Sequence, residues 1–338
     1  MSRNNVLRMR YERAIPSSAL LSRKLVLSFF VLLSLPLLQS CGKEPAYPTP
    51  SFCAAEADCG PNDLIVFANE PWKIVPPETL VPYDSVGLWT VKTDGSDLRF
   101  LVGKTPDGRD FLGAPEWSPG GEWIVANDFI GRIWLVSADG DSFVKVTEQG
   151  GKFFPTFGPD GKKLAFSTQD SDAVGTRGLR ILDLESRTEK SVFPYGTDPS
   201  WSPDGGSLVF SGWLLESNGW TEGIIMVDTS GENARMVHRE DDVLGGRSAS
   251  FSPEGEEVVF HMRDEWQVGQ VWIVKASGSD PRRLTWKGGQ WPSWSADGSE
   301  IIYTRIAYNN RTQPGSGDLY VISTDGLMER RLTFFYPR

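Results

Sequence analysis

The sequence predicts an all-β protein, a six-bladed β-propeller of four-stranded blades, on three observations. A motif of aromatic, tight turn and apolar strand recurs along the chain at spacings of 40 to 50 residues. A second apolar run, and in places a third, follows each copy. No stretch beyond the first forty residues keeps a helical period.

The N-terminus stands apart from that pattern. Arg3, Arg8, Arg10, Arg13, Arg23 and Lys24 form a basic leader with one acid, Glu12. The apolar run Leu25–Leu38 follows; its 14 residues suit a secretory signal and fall short of a bilayer span. It closes as Leu38-Gln39-Ser40-Cys41, which resembles the lipobox of bacterial lipoproteins. That resemblance implies a signal peptide over 1–40, acylation of Cys41 and a lipidated tether over 41–62. Gly42, where an aspartate would signal inner-membrane retention, makes the outer membrane the expected location in the cell envelope.

Charge narrows the partners. Setting aside the leader's six basic groups and one acid from the 34 Lys+Arg and 44 Asp+Glu of the chain leaves 28 and 43, a net charge near −15. Such a surface repels phosphate backbones, so nucleic acid is not an expected partner, and membrane attachment is expected only through the lipid on Cys41. With Cys41 acylated, Cys53 and Cys59 remain. Export would expose them to an oxidising compartment, so a local disulfide between them is expected.

From Asp63 onward the chain repeats. The copies are APEWSPGGEWIVA from Ala114, FPTFGPDGKKLAF from Phe154, DPSWSPDGGSLVF from Asp198, SASFSPEGEEVVF from Ser248 and WPSWSADGSEIIY from Trp291. A degenerate first copy ends at Phe67. Within Ser202-Pro203-Asp204-Gly205, proline pre-sets φ, aspartate suits the next position and glycine accepts the closing conformation, so this is a turn. Leu208-Val209-Phe210 and Ile224-Ile225-Met226-Val227 are runs of strand formers. The third element reads RRLT at Arg282–Thr285 and at Arg330–Thr333. A single blade cannot cover its own two faces, whereas a ring of blades buries each against the next. The motif residues Trp117, Phe157, Trp201, Phe251 and Trp294 are therefore expected in the core. The first copy lacks a good inner strand, and either residues 47–58 or the C-terminal tail could supply it.

This pattern resembles the TolB-like propeller repeat over essentially all of 63–338. The resemblance implies the fold strongly and function weakly, because such propellers serve many roles. Only about twenty residues separate Cys41 from the first blade, so the α/β domain that precedes the propeller in TolB is not expected, nor is an appended peptidase domain.

Propeller connectivity puts the tight turns on one side of the disc and the long connections on the other. Long loops on a rigid scaffold are where binding usually resides. Those connections carry Trp72, Tyr83, Trp213, Trp220, Trp266 and Tyr308, with Trp286 and Trp291, and are the expected surface for an envelope protein or peptide. They also carry Asp110, Asp170, Asp172, Asp198, Glu240, Asp241 and Asp242, from which a glycosidase-type pair could be drawn. Against chemistry stand the two histidines, His238 and His261, too few for a histidine-rich metal site, and the lack of any nucleophile, phosphate-loop or dinucleotide motif. No cofactor is expected, and Asp139-Gly140-Asp141 is too short for a calcium loop, although a cation in the central channel stays open. The expectation is a monomeric, non-enzymatic scaffold, with a carbohydrate-binding or carbohydrate-active propeller as the alternative.

Overall fold

The computed structural model describes residues 53–60, 63–70, 86–108, 112–169, 177–239, 247–264, 268–309 and 313–333. Among them there is no helix; every element is a strand or a turn.

Each blade is a four-stranded antiparallel sheet of consecutive strands. The first blade is β1 (Cys53–Cys59), β2 (Leu64–Glu70), β3 (Gly87–Lys92) and β4 (Arg99–Val102). The second is β5 (Leu112–Trp117), β6 (Trp123–Asp128), β7 (Ile133–Ser137) and β8 (Phe143–Lys145). The third is β9 (Lys152–Phe157), β10 (Lys163–Gln169), β11 (Arg177–Asp183) and β12 (Glu189–Phe193). The fourth is β13 (Gly196–Trp201), β14 (Ser207–Glu216), β15 (Gly219–Asp228) and β16 (Arg235–Arg239). The fifth is β17 (Arg247–Phe251), β18 (Glu257–Arg263), β19 (Gly269–Lys275) and β20 (Arg282–Arg283). The sixth is β21 (Gln290–Trp294), β22 (Glu300–Asn309), β23 (Gln313–Ser323) and β24 (Glu329–Arg331).

The tight turns form as their residues demand. The Gly205 N–H donates to the Ser202 carbonyl at 2.9 Å, with Gly205 at φ +70°. The Ser202 hydroxyl donates to Asp204 and accepts the Ser207 N–H, so the motif serine and aspartate clamp the turn between them. Each inner strand then carries a bulge, which in the second to sixth blades falls just before the motif aromatic. Ala114, Phe154, Asp198, Ser248 and Trp291 sit there at φ between 48° and 55°, and all but Ser248 are followed by proline. Proline cannot donate to a ladder, and a bulge is a place that does not ask it to.

The core lies between blades. Six apolar clusters each join residues of two neighbouring blades. In one, Leu179 and Phe193 of the third blade pack with Trp201, Phe210 and Ile225 of the fourth. The motif aromatics all lie in these seams, Trp117 and Trp294 at 6% exposure and Trp201 at 9%, so their structural reading holds. Burying each such side chain contributes about 1.5–3 kcal/mol.

Among the described residues the ring closes by packing, with no strand shared between the first and last blades. Ala57, Ile65 and Phe67 meet Ile302, Leu319 and Leu332 in the closing cluster. The arginines that begin the third element reinforce such seams. Arg235 donates to the Ala276 carbonyl, Arg282 to the Thr324 carbonyl and Arg330 to the Thr93 carbonyl, each reaching the next blade. The threonine ending RRLT binds backbone within its own blade, where Thr285 and Thr333 accept the N–H groups of Val271 and Leu319 at 2.9 Å.

Two sequence expectations change here. The expected tether 41–62 contains β1, which is the inner strand of the first blade, so the propeller begins ahead of Asp63 and the open question of ring closure is answered by residues 53–59. The expected Cys53–Cys59 disulfide is not formed, and Cys59 is a free thiol. The two cysteines end one extended strand, and six steps at about 3.3 Å put them roughly 20 Å apart, far beyond disulfide reach.

Candidate functional site

In the second to sixth blades the residue before the motif aromatic, and in the first blade the residue before Cys59 at the same place on the inner strand, alternates away from the seam and faces the ring axis. Read around the six blades, these residues are Asp58, Glu116, Thr156, Ser200, Ser250 and Ser293. A cavity of about 360 Å³ lies there, lined by residues of all six blades, which places it on the axis. Pro119, Pro159, Pro203 and Ala296 of the tight turns also line it, so it lies on the tight-turn side of the disc. Loop length alone points to the opposite side.

Two of the six axial positions are acids, and they occupy adjacent blades. Asp58 Oδ2 accepts the Trp117 N–H at 2.9 Å, and Asp58 Oδ1 accepts the Ser293 hydroxyl at 3.2 Å. One carboxylate thus touches the second and sixth blades from the first. Glu116 Oε1 accepts the Phe157 N–H at 2.9 Å and the Thr156 hydroxyl at 3.0 Å. Burial within the ring pushes both carboxyls above the usual range, and the charge of Asp58 raises Glu116 further. Both keep part of their surface open to the channel. Beside them the Cys59 thiol is pushed up to about 11, chiefly by burial, so it is protonated at neutral pH.

The indole of Trp117 completes this corner. Trp201 Nε1 donates to the Thr156 carbonyl at 3.4 Å and Trp294 Nε1 to the Ser250 carbonyl at 3.1 Å, each reaching the preceding blade. Trp117 Nε1 is buried and has no such partner. Its ring lies over Gly60, where an added Cβ would come within 2.4 Å of it.

Of the residues chosen from the sequence, Cys41, Trp72, Tyr83 and Trp266 lie outside the described residues, as do Asp110, Asp170, Asp172, Glu240, Asp241 and Asp242. Tyr308 lies on β22 and Cys53 on β1, their side chains likewise outside the description. Trp213 and Trp220 are described, and their setting differs from the expected loop. Residues 212–223 continue β14 and β15 as a two-stranded hairpin, with Trp213 opposite Glu222 and Leu215 opposite Trp220. Alternation puts Trp213, Leu215 and Trp220 on one face, and Leu215 is 55% exposed. Trp220 is half-buried, its ring edge-on to Tyr195 at 5.0 Å. Trp286 is exposed under the Arg283 guanidinium, and Trp291 is a bulge residue. Asp198 is likewise a bulge residue, its N–H donating to the Ser167 hydroxyl. Both histidines have packing roles: His261 Nδ1 accepts the Trp291 N–H, and His238 lies against Phe260.

Asp58 and Glu116 escaped the sequence reading. Aligning the copies by their aromatics would have exposed Glu116, because the preceding column reads Glu, Thr, Ser, Ser, Ser; Asp58 precedes Cys59 in a strand with no motif aromatic, so only the structure brings it into that column. Among the described residues no group of three His, Cys, Asp or Glu converges.

Contiguous four-stranded blades, seam-buried aromatics and a polar axial cavity define the class, a six-bladed β-propeller of WD-like repeats. Residues 88–335 match the family described as PD40, TolB beta propeller domain, and the chain belongs to it. It is similar to "Uncharacterized protein Atu1656" of Agrobacterium fabrum, 28% identical over 232 residues that cover 65% of this chain and 72% of that one. Among solved structures it is similar to TolB from Acinetobacter baumannii, with TM-score 0.59 and 22% identity over 72% of this chain; it spans 58% of the length of that structure. It is also similar to an oligogalacturonate lyase in complex with manganese, with TM-score 0.56 and 12% identity over 84% of this chain and 78% of the other. Likeness at these identities carries the fold alone.

Proposed function

We propose that this chain is a non-enzymatic scaffold that binds a protein or peptide of the cell envelope, held at the outer membrane by a lipid on Cys41. One observation supports the binding reading over a catalytic one. The described groups that chemistry would need are occupied in holding blades together: Asp58 and Glu116 accept backbone N–H groups of the next blade, and His261 does the same for Trp291. A rigid ring with an axial cavity and an aromatic hairpin offers shape and apolar area, which is what partner recognition draws on. The anchor reading draws on the lipobox-like Leu38–Cys41 and the acidic mature chain.

The test is affinity capture from detergent-solubilised envelopes, run beside a glycan array that includes oligogalacturonates. A scaffold captures a defined protein and leaves every saccharide unbound and uncleaved. Saccharide binding or cleavage without protein capture would overturn the reading. Cys41→Ser should abolish lipid labelling and release a soluble propeller; a variant that still partitions into detergent would overturn the anchor.

A further inference from the structure

We propose that the long-connection side of the ring lies against the membrane, with Phe129, Ile130 and Trp286 set into the lipid headgroup layer. The inference rests on the lipid-anchored reading and names the side of the ring that the anchor brings to the bilayer.

The turn between β6 and β7 carries it furthest. Its apex residues are Phe129 and Ile130, where turns favour Gly, Pro, Asn, Asp and Ser, and they are 76% and 40% exposed. The base beneath them is fixed. Gly131 donates its N–H to the Asp128 carbonyl, and the N–H groups of Gly151 and Lys152 on the next connection donate to the Ile130 and Gly131 carbonyls, all at 2.8 Å. The buried Asp128 carboxylate accepts the Ile130 and Arg132 N–H groups, the Arg132 guanidinium and the Trp134 indole N–H. A tip clamped in this way presents its apolar pair outward permanently.

Two more places on the same side present apolar groups. Leu215, near the end of the β14–β15 hairpin, is 55% exposed. Trp286, between β20 and β21, is 74% exposed, with the Arg283 guanidinium 4.1 Å from its ring centroid. An exposed indole backed by a cation suits a headgroup layer, where an amphipathic ring is half wet. The tight-turn side is built differently. Exposed Asp94, Asp139, Asp204, Asp297 and Asp325 lie there, and neighbouring serine hydroxyls hold their carboxyls below the usual range. That side is therefore charged at neutral pH and costly to desolvate. Its exposed apolar residues, Leu327 and Met328, share one turn with Asp325.

The chain also enters the ring on the long-connection side. Cys53 at the start of β1 pairs with Glu70 at the end of β2, and Cys41 stands twelve residues earlier. A chain of that length spans about 40 Å at full stretch. A tether turned to the other side must cross a blade, about 14 Å for three strand spacings, and descend the height of the ring, about 20 Å for a six-residue strand. That path uses most of the reach.

The test reads hydroxyl-radical labelling of the acylated chain on vesicles of phosphatidylcholine and phosphatidylethanolamine, beside Cys41→Ser protein in lipid-free solution. On vesicles, labelling of Phe129, Leu215 and Trp286 should fall by about fivefold, while that of Leu327 and Met328 stays as in solution. Phe129→Ser combined with Trp286→Ser, both at exposed sites, should melt with the parent and restore labelling of Leu215. Protection of Leu327 and Met328 instead, or of neither side, overturns the proposal. So does protection of Phe129 that grows with protein concentration in the absence of lipid, the sign of a second copy. The mass of the Cys41 peptide separates the two readings. An acylated Cys41 on a chain with no protected side leaves the anchor and removes this inference. A bare Cys41 removes the anchor; excess vesicles must then still protect Phe129 and Trp286, or the inference falls with it.

Discussion

The carboxylate of Asp58 accepts the main-chain N–H of Trp117 at 2.9 Å, across a seam and 59 residues of chain. The relationship repeats one blade on, where Glu116 accepts the N–H of Phe157. Thr156, Ser200 and Ser250, at the same position in later blades, have shorter side chains. The acids are therefore both pins between the first three blades and the charged members of the six axial positions.

That double role makes stability depend on pH. Burial holds both carboxyls at higher pKa in the folded chain than in the unfolded one. The folded state then keeps protons that the unfolded chain has released, so stability falls as pH rises from the ordinary carboxylate range towards the raised values. Glu116→Gln removes one such group and keeps its acceptor oxygen. Melting curves between about pH 4.5 and 8.5 should show a shallower decline for the variant than for the parent. Parallel curves would mean that Glu116 titrates normally.

The orphan indole gives a second comparison. Trp117→Phe and Trp294→Phe remove the same ring volume, but only Trp294 loses a bond, to the Ser250 carbonyl. Urea unfolding should find Trp294→Phe the costlier by about 1 kcal/mol. A reversed order would place an acceptor on Trp117.

For the cysteines, reductant should leave the melting temperature unchanged. Both Cys53 and Cys59 should alkylate fully once the chain is unfolded. Cys59 should react slowly in the native protein, since burial keeps its thiol protonated up to about pH 11. A linked Cys53–Cys59 peptide in mass spectra would require β1 to come apart.

The seam and hairpin tryptophans should separate in stability. Trp201→Ala empties a seam and should cost about 3–5 kcal/mol. Trp220→Ala loses an edge-on contact to Tyr195 on a half-buried hairpin and should cost clearly less. Equal losses would show the hairpin to be part of the core.

Much of this was readable from residues that act on their near neighbours. A Ser202-Pro203-Asp204-Gly205 turn carries its own mechanism, and the strand runs either side of it declare themselves by composition. Repeated six times, such a unit has to bury its aromatics against the next copy, so the blade count and the roles of Trp117, Phe157, Trp201, Phe251 and Trp294 were legible. The hairpin of Trp213 and Trp220 was not. Its pairing extends a ladder past the sheet, and a run with Gly212, Asn218, Gly219 and Gly223 carries the marks of a loop. Nor was the state of Cys59, because a short spacing suggests a bridge until the segment between is known to be a strand.

By itself, then, the sequence determined the repeat, the all-β blades and the seam aromatics, since each follows from turn chemistry and apolar alternation within one copy. Only the tertiary structure decided that β1 completes the first blade, that Asp58 reaches both Trp117 and Ser293, and that two acids share an axis with four hydroxyl residues. Those are relations between copies far apart in the chain. They exist only once the ring has closed and set the inward positions of all six blades side by side.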